Sequence, residues 1–220
     1  MKINIKNNSH ITIDNDELEE VETFTYLGSI IATDGGTERD VKPRIGKASY
    51  AFKSLTNIWK SNKITTKTKI RLFNTNVKSV LFYGAETWKL SKPLIKKLQT
   101  FTNKCLRQIL KIYWLDRIPN IELWEKTKQE QIEITLRRRT WRWVGHTLRK
   151  PNNDITQQAL EWNPQGTRRR GRPKETWRRT IQRNLEENGL SWKTVKAEAK
   201  NRIKWRCTVD ALCSKGSERI

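Results

Sequence analysis

Residues 44–60 have the sequence RIGKASYAFKSLTNIWK, in which apolar side chains recur every three or four positions. That interval places the apolar side chains on one face of a helix and leaves basic and polar residues on the other. The apolar face consists of Ile45, Ala48, Phe52, Leu55 and Trp59. The spacing therefore predicts an amphipathic α-helix, which follows the turn residues at 34–36.

Two further helices with the same period are predicted downstream. Thr65 or Thr66 can cap the second helix, and Ser91 followed by Pro93 can open the third. The apolar faces comprise Ile70, Phe73, Val77 and Leu81 in the second helix, and Leu94, Leu98, Phe101, Cys105, Ile109 and Ile112 in the third. We expect these three helices to form the main core of the protein.

The N-terminal part of the chain shows the alternation that is typical of strands. Residues 2–6 and 10–14 alternate isoleucines with polar residues, and Asn7-Asn8-Ser9 provides turn chemistry between them, which predicts a hairpin. A second extended segment is predicted from Val21 to Ala32, with a bend at Gly28. The predicted fold class is mainly α: a helical bundle preceded by a small β-hairpin and strand element, with a second small basic helical segment at the C-terminus.

Changes of composition divide the chain into four predicted segments. Residues 150–172 contain two prolines, several asparagines and a run of arginines, which is typical of an exposed linker. Beyond the linker, Asn188-Gly189 favours the end of one helix and Ser191 can cap another. The predicted segments are the hairpin and strand element at 1–36, a helical bundle at 37–149, a basic linker at 150–172 and a C-terminal helical pair at 173–213.

Charge is the strongest indication of what the protein binds. The 220 residues include 45 lysines and arginines against 23 acids, which gives a formal net charge of +22. Residues 1–40 contain three basic and nine acidic residues, so the net positive charge comes from the remainder of the chain. The cations repel one another, and binding of a polyanion reduces that repulsion. We therefore expect a nucleic acid as the partner.

The densest basic run lies in the predicted linker. Counterion release makes such a cluster a phosphate-binding element, although a nuclear-import signal or a merely solubilising surface is compatible with the same residues. Arg170-Gly171-Arg172-Pro173 also matches an extended hook that can enter the minor groove of A·T-rich DNA. The predicted phosphate contacts in this run are Arg168, Arg169, Arg170, Arg172 and Lys174.

A second candidate site combines arginines with aromatic residues between positions 137 and 146. Tryptophan next to arginine suits base stacking and phosphate contact, but the same tryptophans also suit a core. His146 can serve as a phosphate ligand or as a structural histidine that follows Gly145. The candidate residues are Arg137, Arg138, Arg139, Trp141, Arg142, Trp143 and His146.

No catalytic or metal-binding set is recognisable in the sequence. Three cysteines without a CxxC pair, together with two histidines, provide no zinc-finger spacing and indicate a reducing intracellular setting. Asp14 and Asp16 could hold Mg²⁺, but a solvated turn accounts for them as well. No apolar stretch approaches the roughly 20 residues needed to span a bilayer. We expect no cofactor, no metal and no membrane association.

Several motifs, in order, resemble the region that follows the catalytic palm in reverse transcriptases of non-LTR (LINE-type) retrotransposons. The first three are Phe24-Thr-Tyr-Leu-Gly-Ser29, Arg44-Ile-Gly-Lys-Ala48 and Leu81-Phe-Tyr-Gly-Ala-Glu-Thr-Trp88. Two more are Arg138-Arg-Thr-Trp-Arg-Trp-Val-Gly-His146 and Gly171-Arg-Pro-Lys-Glu-Thr-Trp177. The resemblance covers about residues 1–185.

The resemblance implies a role for each part of the chain. Tyr26, Leu27 and Gly28 correspond to the primer grip, and residues 37–149 to a thumb-like bundle that holds the template–primer duplex by its backbone. The fingers, the palm and the endonuclease lie before residue 1 in the family layout. We therefore expect no polymerase activity from this chain alone.

These observations together predict a nucleic-acid-binding fragment of a retrotransposon reverse transcriptase, located inside the cell and in the nucleus. Its expected partners are RNA, DNA or an RNA–DNA hybrid, and the palm of an intact copy of the element could complete it. Two alternatives stay open: a helical scaffold for protein interaction, and a domesticated nuclear protein derived from a transposon.

Overall fold

The computed structural model describes residues 10–14, 16–33, 37–161 and 176–214. It is mainly helical with small N-terminal hairpins, which confirms the predicted fold class. The predicted strand at 2–6 and the turn after it lie outside the described residues. The chain divides into two compact units: the first unit is formed by residues 1–84 and 104–114, and the second unit by residues 85–103 and 115–220.

Two short antiparallel hairpins begin the first unit. Strand β1 (Thr12–Ile13) pairs with β2 (Asp16–Glu17), and β3 (Thr23–Tyr26) pairs with β4 (Ser29–Ala32). The bent extended segment expected at 21–32 is thus a hairpin. Its two-residue turn consists of Leu27 and Gly28, with φ of 47° and 79°. Positive φ at both positions is the type I′ geometry, whose twist matches that of the flanking strands.

The remainder of the first unit is helical. Of the two threonines predicted as candidate caps, Thr65 caps α3, because its side chain accepts a hydrogen bond from the backbone N–H of Thr68. The elements are α1 (Thr37–Ser54), α2 (Thr56–Lys60), α3 (Thr66–Leu72), a π-helical stretch (Phe73–Lys78), α4 (Ser79–Leu81) and the last seven residues of α5 (Lys92–Leu110).

An aromatic cluster lies at the centre of the first unit. The rings of Phe52 and Trp59 stack with centroids 5.1 Å apart, and Phe73 meets Phe52 edge-on at 6.2 Å. Trp59 Nε1 donates to the carbonyl of Phe52 at 2.7 Å, so the indole is buried without losing its hydrogen bond. Lys69 is also buried, and its ammonium donates to the carbonyls of Trp59 and Ser61 at 2.8 and 2.6 Å.

The second unit is a helical assembly around α7. One helix, α8, forms within the segment predicted as a linker. Asn188 ends α9, and Gly189 follows it with φ of 67°, as the sequence indicated. The elements are a 3-10 turn (Ala85–Thr87), the first part of α5, α6 (Asn120–Thr127), α7 (Ile132–Leu148), α8 (Ile155–Glu161), α9 (Trp177–Glu187), α10 (Trp192–Ala199) and α11 (Arg202–Ser214).

Gly145 allows α11 to pack directly against α7. A Cβ atom at this position would lie 1.9 Å from Trp205 Nε1, a distance that no real contact permits. The same Nε1 donates to the carbonyl of Trp141 at 3.2 Å, and the two indoles meet edge-on with centroids 6.3 Å apart. The glycine in the Gly-His motif therefore has a packing role in this fold.

Three features bear on which site chemistries the structure offers. Among the described residues, no helix is both long and apolar enough to cross a membrane. In that same part of the chain, no group of three His, Cys, Asp or Glu side chains is placed to hold a metal ion. Burial raises the pKa of the Cys105 thiol to about 12 and that of Cys213 to about 11, so both stay protonated at neutral pH.

Candidate nucleic-acid interface

Arg44 holds the turn of the β3–β4 hairpin against α1. Its Nη2 donates to the carbonyl of Gly28 at 2.6 Å and to Ser29 Oγ at 3.2 Å. Asp40, one helical turn earlier, accepts the backbone N–H of Ile30 at 3.0 Å and lies 3.9 Å from Arg44 Nε. The side chains of Arg44 and Asp40 are nearly buried, so this charged pair fixes the hairpin at two points.

The third of the resembling motifs joins the same cluster. The guanidinium carbon of Arg44 lies 4.7 Å from the ring centroid of Tyr83, a cation–π contact. A Cβ at Gly84 would come within 3.3 Å of Ser29 Oγ, and Gly84 has φ of 72°. Both the close approach and the positive φ favour glycine at this position. The segments at 24–29, 44–48 and 81–84 thus meet around one arginine.

The predicted primer-grip residues form the tip of this hairpin. Tyr26 and Leu27 are 58% and 73% exposed, and Gly28 is half-buried beneath them. A leucine with positive φ is conformationally strained, because its Cβ approaches the following carbonyl. The tip therefore presents two apolar side chains to solvent on a backbone that Arg44 holds in place.

Three arginines predicted as phosphate contacts are engaged by acids of the second unit. Arg137 Nη2 lies 2.6 Å from Glu133, Arg138 pairs with Glu130, and Arg139 donates twice to Glu86 Oε1, at 2.8 and 3.1 Å. Burial alone would lower the pKa of Arg138, but the hydrogen bond and charge of Glu130 outweigh it and raise that pKa. Arg139 thereby joins α7 to the 3-10 turn at 85–87, whereas the pair of Arg137 and Glu133 lies within α7.

The two tryptophans of the same motif pack within the second unit. Trp141 is fully buried, so its ring cannot stack on a base in this structure, and support of the fold is the role that remains for it. Trp143 is half-buried and meets Trp177 edge-on at 5.9 Å. Trp177 Nε1 in turn donates to the carbonyl of Glu86 at 3.0 Å. The aromatic area of this motif is mostly core.

Arg142 and His146 point outward from α7. Both side chains are exposed, and their spacing of four residues places them on one face of the helix. Of the seven candidates between 137 and 146, these two are the ones that a ligand can reach most freely. The basic run, with Arg168, Arg169, Arg170, Arg172 and Lys174, lies outside the described residues.

The structure adds exposed groups that the sequence interpretation missed. Every one of the nine basic residues between 176 and 214 is exposed, and only four acids share that stretch. Lys193, Lys196 and Lys200 are among them, and their spacing of three and four was the signal that could have found them. Among the tryptophans of the described residues, Trp114 alone is exposed, at 85%, and Tyr113 beside it is 70% exposed.

Comparison with known proteins gives two matches. A family model described as a domain of unknown function (DUF6451) matches residues 51–83, which include the aromatic cluster of the first unit. An uncharacterised transposon-derived protein of Caenorhabditis elegans is 23% identical over 206 residues, covering 88% of this chain and 72% of that protein. No solved structure matches the chain. The chain is thus distantly similar to a transposon-derived protein.

Proposed function

We propose that this chain is a transposon-derived nucleic-acid-binding protein that corresponds to the thumb and downstream region of a non-LTR retrotransposon reverse transcriptase. It holds the backbone of a template–primer duplex and contributes no polymerase or endonuclease active site. The main observation behind the proposal is that all nine basic residues at 176–214 are exposed. Exposed cations in excess over acids bind phosphates through the release of counterions.

The distribution of ion pairs supports this proposal. Acids of the second unit such as Glu86, Glu130 and Glu133 are already paired with arginines of α7. The cations that face solvent consequently outnumber the carboxylates that could screen them. Arg142 is exposed and adds to this surface. A polyanion is the partner that relieves such a surface best.

The hairpin of the first unit supports a more specific contact. A strained and exposed leucine at the turn weakens the fold without a packing gain, a pattern that is found where a residue contacts a ligand. Tyr26 beside it has a ring that can lie against a sugar or base. We assign this tip to the primer end of the duplex, in keeping with the motif that the sequence resembles.

The proposal also covers the location of the protein in the cell and its lack of polymerase activity. A transposon-derived protein that binds nucleic acid acts in the nucleus, and the basic run at 168–174 can serve there as an import signal. Polymerisation would require a palm in addition to the residues described above. The purified protein is expected to extend no primer, and primer extension under conditions with dNTPs and Mg²⁺ would contradict that part of the proposal.

Affinity measured across a salt series tests the proposal. The purified chain would be titrated with an RNA–DNA hybrid, duplex DNA and single-stranded RNA, with helicity monitored in parallel. We expect log K to fall linearly with log salt, by about 0.9 per phosphate contact on duplex DNA and about 0.7 on single strands. A folded chain that binds none of the three, or that binds with a flat salt dependence, would overturn nucleic-acid binding.

A charge-matched pair of variants tests the basic run. The first variant replaces Arg168, Arg169, Arg170, Arg172 and Lys174 with glutamine. Its control replaces the exposed lysines Lys42, Lys47, Lys53, Lys60 and Lys63, which removes the same charge from the first unit. A larger loss of affinity in the first variant supports the run as a contact. Equal losses would mean that net charge alone governs binding.

A further inference from the structure

A groove of about 580 Å³ lies on the second unit, between α10 and the segment that follows α7. Its polar lining consists of Asn152, Gln157, Gln158, Lys193, Lys196 and Lys200. Leu148 and Ala197 complete it. We call it the lysine groove. Cations and amides lie on opposite sides of it, contributed by two separate parts of the chain.

Lys193 and Lys196 lie on one face of α10, and Lys200, the residue directly after the helix, continues that face because the three are spaced by three and four residues. Val195 and Ala199, on the opposite face, are fully buried and hold the helix against the core. Ser191 caps the helix start by accepting from the N–H of Thr194 at 3.2 Å. At the helix end, Arg149 Nη1 donates to the carbonyl of Ala199 at 3.1 Å. The lysines therefore project from a helix that is fixed at both ends.

No carboxylate lines the groove among the described residues. The acid of α10, Glu198, is used elsewhere, since it lies 3.4 Å from Lys204 Nζ and accepts from Thr208 Oγ1 at 2.6 Å. Asp154 accepts from the backbone N–H of Thr156 at 2.9 Å and lies 3.3 Å from Lys150 Nζ. Burial and the nearby charge of Arg202 lower the pKa of Arg149, which is consistent with positive potential around this end of α10.

We infer that the lysine groove binds consecutive phosphates of one nucleic-acid strand. From Lys193 to Lys200 a helix rises about 10 Å at about 1.5 Å per residue. Each strand of duplex DNA carries a phosphate about every 3.4 Å of its axis and winds around that axis, so a row of this length spans more than one phosphate. A single phosphate ion would occupy one end of such a row. The length of the lysine row thus favours a polymer over a mononucleotide.

The amide side of the groove adds orientation to this charge contact. The side chains of Asn152 and Gln158 are exposed, and their NH₂ groups can donate to phosphate or sugar oxygens. Contacts of this kind position a backbone without selecting a sequence. The groove is therefore a sequence-independent site, and it deepens the proposed function by naming residues that the strand follows; it rests on that proposal.

A triple variant, Lys193→Gln with Lys196→Gln and Lys200→Gln, tests the inference against a matched control. The control removes the same charge from exposed residues of α5 in the same unit, with Lys92, Lys96 and Lys97 changed to glutamine. Both full-length variants would be titrated with duplex DNA and single-stranded RNA across a salt series. Circular dichroism checks that both stay folded, and a Lys→Arg triple at the groove provides a charge-preserving version.

We expect the groove variant to lower the salt slope on duplex DNA by about 2.7, which is three contacts at about 0.9 each. The control should change the slope by less than about 0.9, the value of one phosphate contact. The arginine triple should retain the wild-type slope. Equal slopes in the groove variant and the control would overturn the inference while leaving nucleic-acid binding intact. A wild type that binds no nucleic acid would instead remove the proposed function itself.

Inorganic tripolyphosphate separates a strand site from a site for a small polyanion. Calorimetric titration of the wild type should detect at most weak binding, because three linked phosphates lack the sugar contacts of a strand. Tight binding of tripolyphosphate that is lost in the groove variant, together with unchanged nucleic-acid affinity, would overturn the strand assignment in favour of a small polyanionic ligand.

Discussion

At the scale of single residues, Gly145 controls how closely α11 approaches α7. Replacing it with alanine would place a methyl group inside the indole of Trp205. The crowding should lower the free energy of unfolding by about 1–3 kcal/mol, as measured by urea denaturation.

Gly46 provides the matched control for that substitution. It lies on the exposed side of α1, and a Cβ there has no neighbour within 4 Å. Gly46→Ala should therefore raise the free energy of unfolding by roughly 0.5–1 kcal/mol through better helix propensity. If Gly145→Ala raised the free energy of unfolding as Gly46→Ala is expected to do, the packing role of Gly145 would be refuted.

Trp114 is the residue best placed to stack on an unpaired base. Since stacking contributes about 1–3 kcal/mol per base, Trp114→Ala should lower the affinity for single-stranded RNA by roughly 5- to 150-fold. The salt slope should stay the same because no charge is removed. Trp114→Phe should retain most of the affinity.

Tyr50→Ala controls for the loss of an exposed aromatic ring in general, since Tyr50 is 77% exposed on α1. Fluorescence anisotropy with a labelled oligonucleotide would compare the two alanine variants. A Trp114→Ala protein that binds as the Tyr50→Ala protein does would rule out stacking at Trp114.

At the scale of the element, α7 carries both ion-paired arginines and an exposed one, Arg142. Arg139→Ala removes the two hydrogen bonds to Glu86 and should lower the free energy of unfolding by about 0.5–1 kcal/mol, as is usual for a partly exposed pair. Arg142→Ala should leave stability within about 0.5 kcal/mol and reduce the salt slope on duplex DNA by about 0.9. The opposite assignment of the two effects would contradict this distinction between paired and exposed arginines.

The turn between β3 and β4 is predicted to contact the template–primer hybrid through Leu27, a residue whose backbone conformation destabilises the fold. Leu27→Asn should raise the free energy of unfolding by up to about 1 kcal/mol, because asparagine tolerates positive φ. The same change should weaken binding to a template–primer hybrid. Leu18→Asn is the control, an exposed leucine outside the turn. Stronger hybrid binding by the Leu27 variant would count against the primer-grip assignment.

Local chemistry explains which elements could be predicted from the sequence. The caps at Thr65 and Ser191, and the end of α9 at Gly189, depend only on nearby residues and were predicted correctly. The turn at Leu27-Gly28 was not, because leucine is a poor residue for a type I′ turn and Arg44 stabilises it from another element. Residues 73–78 follow the helical period, which does not distinguish the π-helical form that they adopt.

At the scale of the whole molecule, the candidate site could be predicted only in kind. Composition alone indicated a cationic surface, but it could not tell paired arginines from open ones. Arg139 meets Glu86, which is 53 positions away, and such a partner is invisible to spacing. The lysine groove depends likewise on two segments about 40 residues apart along the chain.

The net charge of +22 predicts how the whole protein responds to salt. Repulsion among exposed cations destabilises the compact state, and added ions screen it. We expect the melting temperature, followed by circular dichroism, to rise when sodium chloride is increased from about 20 mM to about 300 mM, where the Debye length falls below roughly 8 Å. Sorbitol at equal osmolality should not reproduce the rise, and a melting temperature that fell with salt would refute it.

The buried Lys69 can serve as an internal reference in chemical footprinting of the exposed lysines. Among the described lysines it is the buried one, and both of its acceptors are backbone carbonyls of the same unit. An amine-acylating reagent should therefore spare Lys69 whether or not a ligand is bound. Acylation of Lys69 would therefore report unfolding of the first unit, and protection of Lys193, Lys196 and Lys200 can be read as occupancy of the groove in samples whose Lys69 stays unlabelled.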